Sequence, residues 1–166
     1  MPTSQIAEMV RQVVNRTGQS EAQQIIEENG RIKMTAAAGT VINTGKISTN
    51  GANGKAAGSV EIISDRATLI AAGSNISADG QGAGSDGGKI LMLSDSKNGR
   101  AVLEKGADIS ARGGNVSGNG GFVELSGSKF FWASNADVSA TKGKVARSFL
   151  TRSTSTSPTN QTQKVM

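Results

Sequence analysis

The chain has 166 residues, enough for one domain, and holds 22 glycines, 2 prolines, 1 tryptophan, 4 phenylalanines and no tyrosine. A core so poor in rings must come from small and medium aliphatics, which suits a thin repetitive stack; the lack of cysteine and histidine excludes thiol catalysis, disulfides, the usual zinc sites and a Ser-His-Asp triad. The formal charge of +5 gives no case for nucleic acid, because residues 141–166 carry Lys142, Lys144, Arg147, Arg152 and Lys164 without an acid, leaving a neutral body.

In chain order, the first residues predict a short helix. Ser4 is placed to cap it, and Ile6, Met9, Val10 and Val13 fall on one face at helical spacing. Such a helix would cover the open end of whatever follows. Val14-Asn15-Arg16-Thr17-Gly18 then echoes Ile42-Asn43-Thr44-Gly45, which predicts a partial coil within residues 1–29. No basic region followed by an apolar stretch opens the chain, so a signal peptide is not expected in it, and no apolar run is long enough to predict a membrane span.

Residues 30–145 repeat. The first unit has Gly30, Ile32 and Met34, then Val41 and Ile42, then Ile47-Ser48-Thr49. The second has Gly58, Val60 and Ile62, then Ala67 and Leu69, then Ile76-Ser77-Ala78. The third has Gly88, Ile90 and Met92, then Val102, then Ile109-Ser110-Ala111. The fourth has Gly121, Val123 and Leu125, then Phe130 to Trp132, then Val138-Ser139-Ala140. Each unit holds three short segments of period two, with residues such as Ile90, Met92 and Ile109 pointing inward and Lys89, Ser94 and Ser110 outward. Asn-Gly, Asp-Gly and Gly-Gly pairs mark the corners.

Three strands per unit stacked like on like predict an all-β fold, a right-handed parallel β-helix of about four coils plus a partial N-terminal coil, about 19 Å tall. Its core columns are expected to be Ile32-Val60-Ile90-Val123, Met34-Ile62-Met92-Leu125 and Ile47-Ile76-Ile109-Val138.

Several motifs carry chemistry elsewhere. Gly82-Ala83-Gly84-Ser85-Asp86-Gly87 has the spacing of a dinucleotide fingerprint, but that motif needs a following helix, and Lys89-Ile90-Leu91-Met92-Leu93 reads as a strand. The same loop partly fits a calcium-binding nonapeptide, with Gln81 and Gly88 out of pattern and no tandem copy. Both comparisons favour a plain corner loop, and no cofactor or metal is expected. Asp65, Asp95, Asp108 and Asp137 invite comparison with β-helix polysaccharide enzymes. Asp108 and Asp137 read as sharing a column with Asn75 and Lys46, and a solvated face accounts for them without catalysis. Alternation sends Phe131 to one side of its strand and Phe130 and Trp132 to the other. Asn15-Arg16-Thr17 and Asn75-Ile76-Ser77 fit the glycosylation sequon and read more simply as turn or strand asparagines.

Asn29-Gly30-Arg31-Ile32, Gly39-Thr40-Val41-Ile42-Asn43-Thr44-Gly45-Lys46-Ile47-Ser48 and Gly120-Gly121-Phe122-Val123-Glu124-Leu125-Ser126-Gly127 resemble filamentous-haemagglutinin-type exoproteins. The resemblance covers roughly residues 5–145, with Ser20 standing where that family has an aliphatic. It implies a stem exported from a Gram-negative bacterium through an outer-membrane two-partner-secretion transporter, by way of a secretion domain outside this sequence. It also implies display or release at the cell surface, where the full-length protein would meet host-cell or extracellular glycans and proteins. Adhesins and haem-acquisition proteins both occur in the family, and without histidine an axial haem ligand of that type is not expected here. The alternative is a β-helix carbohydrate-binding or polysaccharide-degrading domain.

Residues 146–166 leave the pattern and read as a basic, Ser/Thr-rich disordered tail. The resemblance implies Gly-Thr-Leu-Leu-Leu-Asp-Pro after Gly143-Lys144-Val145. Bases able to encode Ala146 to Ser153, read one frame over with one G restored, spell that peptide followed by isoleucine. A frameshift in the gene is therefore the expectation for this tail.

Overall fold

The computed structural model describes residues 24–28, 30–52, 54–144, 148–152 and 163–165. The expected helix over Ser4 to Val13 and the partial coil at Val14 to Gly18 lie outside the described residues. Strand β1 (Gln24–Glu28) leads into a first coil of β2 (Arg31–Ala36), β3 (Thr40–Asn43) and β4 (Lys46–Ser48). The second coil is β5 (Ser59–Ser64), β6 (Ala67–Ile70) and β7 (Asn75–Ser77), and the third is β8 (Lys89–Ser94), β9 (Arg100–Leu103) and β10 (Asp108–Ser110). The fourth is β11 (Phe122–Gly127), β12 (Lys129–Trp132) and β13 (Ala136–Asp137), followed by β14 (Ser148–Arg152) and β15 (Gln163–Val165).

Equivalent strands pair in parallel from coil to coil, giving three faces: β2-β5-β8-β11-β14, β3-β6-β9-β12 and β4-β7-β10-β13. The protein is a parallel β-solenoid of four coils. On the first face the ladder opposes Ile32, Val60, Ile90 and Val123, and in the next column Met34, Ile62, Met92 and Leu125. All eight are buried. Burying such side chains is worth roughly 1.5–3 kcal/mol each. The first face runs further than the repeat predicted, because β14 pairs with β11 beyond residue 145. Antiparallel strands border it at both ends, β1 against β2 and β15 against β14.

The expected outward Ser94 points inward instead. It belongs to the buried column that ends each strand of the first face after two aliphatics, below Ser64 and Ala36. The hydroxyls satisfy one another: Ser64 Oγ lies 2.9 Å from Thr68 Oγ1 and 3.1 Å from Ser94 Oγ, and Ser94 Oγ donates to the Arg100 carbonyl at 2.7 Å. On the second face Val41, Thr68 and Ala101 are buried, while Ile42, Leu69, Val102 and Phe131 form the outward column between them. Phe130 and Trp132 pack on the core and Phe131 is 60% exposed.

The third face corrects one column. Ile47, Ile76 and Ile109 oppose one another as expected, but Ala136, not Val138, follows Ile109. Val138 takes the place of Ala111 and packs half-buried against the core. The cause is the corner before the strand. In the second and third coils it holds a turn closed by Ser74 N–H on the Ala71 carbonyl, or Ala107 N–H on the Glu104 carbonyl. Gly73 and Gly106 supply the φ of 79° and 91° that a type II turn needs at its third residue. The fourth coil has only Ala133-Ser134-Asn135 there, and the first has Thr44-Gly45 braced by the Asn43 side chain. A shorter corner delivers the next strand two residues early.

Candidate functional site

Between the third face and the next coil the chain leaves the core and returns. The excursions occupy residues 50–52 with 54–57, 79–87 and 112–120, and each folds onto its neighbour. Gly51 N–H donates to the Asp79 carbonyl, Gly80 N–H to Arg112 and Gly113 N–H to Ser139. Further out, Ala57 N–H donates to the Asp86 carbonyl and Gly87 N–H to Asn119. Fully buried Ser85 ties the middle together, its Oγ lying 2.7 Å from the Gln81 carbonyl and 3.0 Å from that of Ala52 while accepting the Gly54 N–H. What reads in sequence as loose connection is an ordered arm alongside the solenoid.

The arm's base is glycine for a steric reason. A Cβ at Gly58 would meet the Gly30 carbonyl oxygen, one at Gly88 that of Gly58, and one at Gly121 that of Gly88. These glycines floor an open trough of about 520 Å³ beside the first face, edged by Arg31, Lys89 and Phe122. The Lys89 ammonium sits 5.6 Å from the centre of the Phe122 ring.

On the arm's other side, against the third face, lies a polar groove of about 670 Å³. Its floor is a column that the backbone ladder builds from Asn50, Asp79, Arg112 and Ser139, one from each coil. Gln81, Asn115, Asp137 and Thr141 stand at its rim. Asp79 is only 8% exposed and its oxygens are taken up: Oδ1 accepts the Arg112 N–H at 2.7 Å, and Oδ2 accepts Ser110 Oγ at 2.9 Å and Arg112 Nη2 at 2.8 Å. That hydrogen bond, and the charge behind it, raise the Arg112 pKa and fix the guanidinium across the groove. Asp137 Oδ2 lies 3.9 Å from Arg112 Nε, and Asp137 Oδ1 accepts the Ser139 N–H at 3.0 Å.

The other carboxylates singled out by sequence do not meet. Asp65 accepts the Ala38 N–H at 2.6 Å, and Asp108 accepts from Asn75 Nδ2 at 2.8 Å. Asp95 closes its own loop, and the N–H groups of Asn98 and Lys97 lower its pKa. Asp137 is not in the column of Lys46, Asn75 and Asp108, as the repeat suggested; the early strand sets it opposite Ser110. The loop from Gly82 to Gly87 is followed by strand β8, with Asp86 Oδ1 accepting both the backbone and side-chain N–H of Asn119. Among the described residues no three His, Cys, Asp or Glu side chains gather as a metal site, and no helix is long and apolar enough to cross a membrane.

Sequence reasoning missed the groove. Its column mixes an amide, an acid, a base and a hydroxyl, and the only signal is the place of Asn50, Asp79 and Arg112 just after their closing tripeptides; Ser139 lies inside its own and joins the column only through the early strand of the fourth coil. No family model, no curated protein and no solved structure matches the chain.

Proposed function

We propose that this chain is a structural stem segment of a large secreted or surface-displayed adhesin of the filamentous-haemagglutinin type, which spaces binding regions for cell adhesion and performs no catalysis. The observation that carries the reading is the unbroken column of Ile32, Val60, Ile90 and Val123, in which each coil is completed by the next. A solenoid built this way gains length by adding coils without redesigning its core, which is what a spacer requires. The resemblance of Gly39 to Ser48 and Gly120 to Gly127 to the exoproteins supplies the rest. In this reading the host-cell or extracellular partner and the two-partner-secretion transporter engage other parts of the full-length protein. Its site of action is the surface of a Gram-negative bacterium or the medium around it.

Two measurements test the proposal. The purified chain should release no reducing ends from polysaccharides; turnover of any of them would overturn the reading. The coding DNA on either side should continue the coils and specify an export region, and flanks without either would also overturn it.

A further inference from the structure

We infer that the groove over Asn50, Asp79, Arg112 and Ser139 binds a neutral polysaccharide chain laid along the solenoid axis. The floor presents one polar side chain per coil, about 4.8 Å apart, so a fitting ligand offers polar groups recurring along its length at a similar interval. A chain of pyranose sugars does so with its hydroxyls, which both donate and accept.

The groove matches that chemistry. Arg112 is held rigid by Asp79, so its outward N–H groups are donors already aimed, with little ordering cost on binding. Asp137 and Asn115 add acceptors, and Gln81, Asn115 and Thr141 are exposed with no side-chain hydrogen bond to the described residues. Charge selects against polyanions, because Asp79 already neutralises Arg112 and Asp137 leaves the site negative. Binding without cleavage follows from the carboxylates. Hydrolysis of a glycoside ordinarily needs two working acids, and donors already occupy both Asp79 oxygens. This inference is independent of the adhesin reading.

The test is affinity electrophoresis of the full chain through gels containing laminarin, mannan or arabinoxylan, with alginate and polygalacturonate as polyanions. At least one neutral polysaccharide should retard the protein and the polyanions should not. Asn115→Ala and Asp137→Asn, at the rim, should each weaken binding roughly three- to ten-fold, the worth of one hydrogen bond, at an unchanged melting temperature. Phe131→Ser, on another face, should bind as the parent does. Retardation by no neutral polysaccharide, by polyanions alone, or undiminished in both rim variants overturns the inference.

Discussion

Ile109 lies opposite Ala136 across the parallel ladder of the third face, and Val138 stands two residues further along, in the column of Ala111. The two β-branched residues therefore do different work. Ile109 is fully buried between neighbouring coils, whereas Val138 is half-buried at the last one. Ile109→Ala is expected to cost about 2–5 kcal/mol and Val138→Ala about 1 kcal/mol or less, read from denaturant unfolding. Equal losses would restore the unshifted column. Ile109→Asp, which buries an unpaired charge, should abolish cooperative melting altogether.

The glycine floor gives a steric prediction. Gly88→Ala drives a methyl group into the carbonyl of Gly58 and toward Ala78 on the adjoining segment, so the coils must separate. Gly54→Ala meets nothing, and its cost comes only from the φ of 75°. Thermal melting should rank Gly88→Ala well below Gly54→Ala, with about 1 kcal/mol for the latter.

Thr49 offers a gain. Its hydroxyl is the one buried side-chain polar atom without a hydrogen-bond partner among the described residues, and the equivalent positions in the next two coils are Ala78 and Ala111. Thr49→Val keeps the shape and removes a desolvated oxygen. A stabilisation of about 1 kcal/mol is expected; a loss would mean that the hydroxyl is satisfied.

Acid should loosen the first face. Arg31 donates to Glu61 at 2.6 Å and, with Lys33 and Lys89 nearby, lowers the Glu61 pKa. A carboxylate whose folded pKa is depressed contributes stability above its unfolded pKa and loses it as pH falls through the folded value. The melting temperature should therefore drop below the ordinary glutamate range, and Glu61→Gln should flatten that part of the profile. Asp95, held low by the N–H groups of Asn98 and Lys97, adds a slope in the same direction that Asp95→Asn removes.

Most of the first face was legible because its signal is redundant. A glycine and two alternating aliphatics recur in all four units, and a slip by one residue would turn Ile90 and Met92 to solvent. Ser94 was misplaced because a serine at a strand end looks like surface, and only the partners on Ser64 and Arg100 reveal it as interior. Along Val41-Ile42 two apolar residues adjoin, so periodicity alone does not choose between them; the ladder sends Val41 in and Ile42 out. Val138 went astray because corner length leaves little mark in sequence: Ala133-Ser134-Asn135 lacks the glycine turn that Glu104 to Ala107 forms. The groove was hidden more thoroughly, since its residues cooperate through Asp79 and Arg112 rather than by likeness of type.

Trp132 is the only indole in the chain and sits in β12, at the edge of the second face, half-buried against the core. Nature has thereby placed an optical probe at one extremity. Its emission senses fraying there, whereas circular dichroism averages every turn. Red-shifting fluorescence at temperatures where the ellipticity is still steady would time the unzipping of this molecule from that extremity inward.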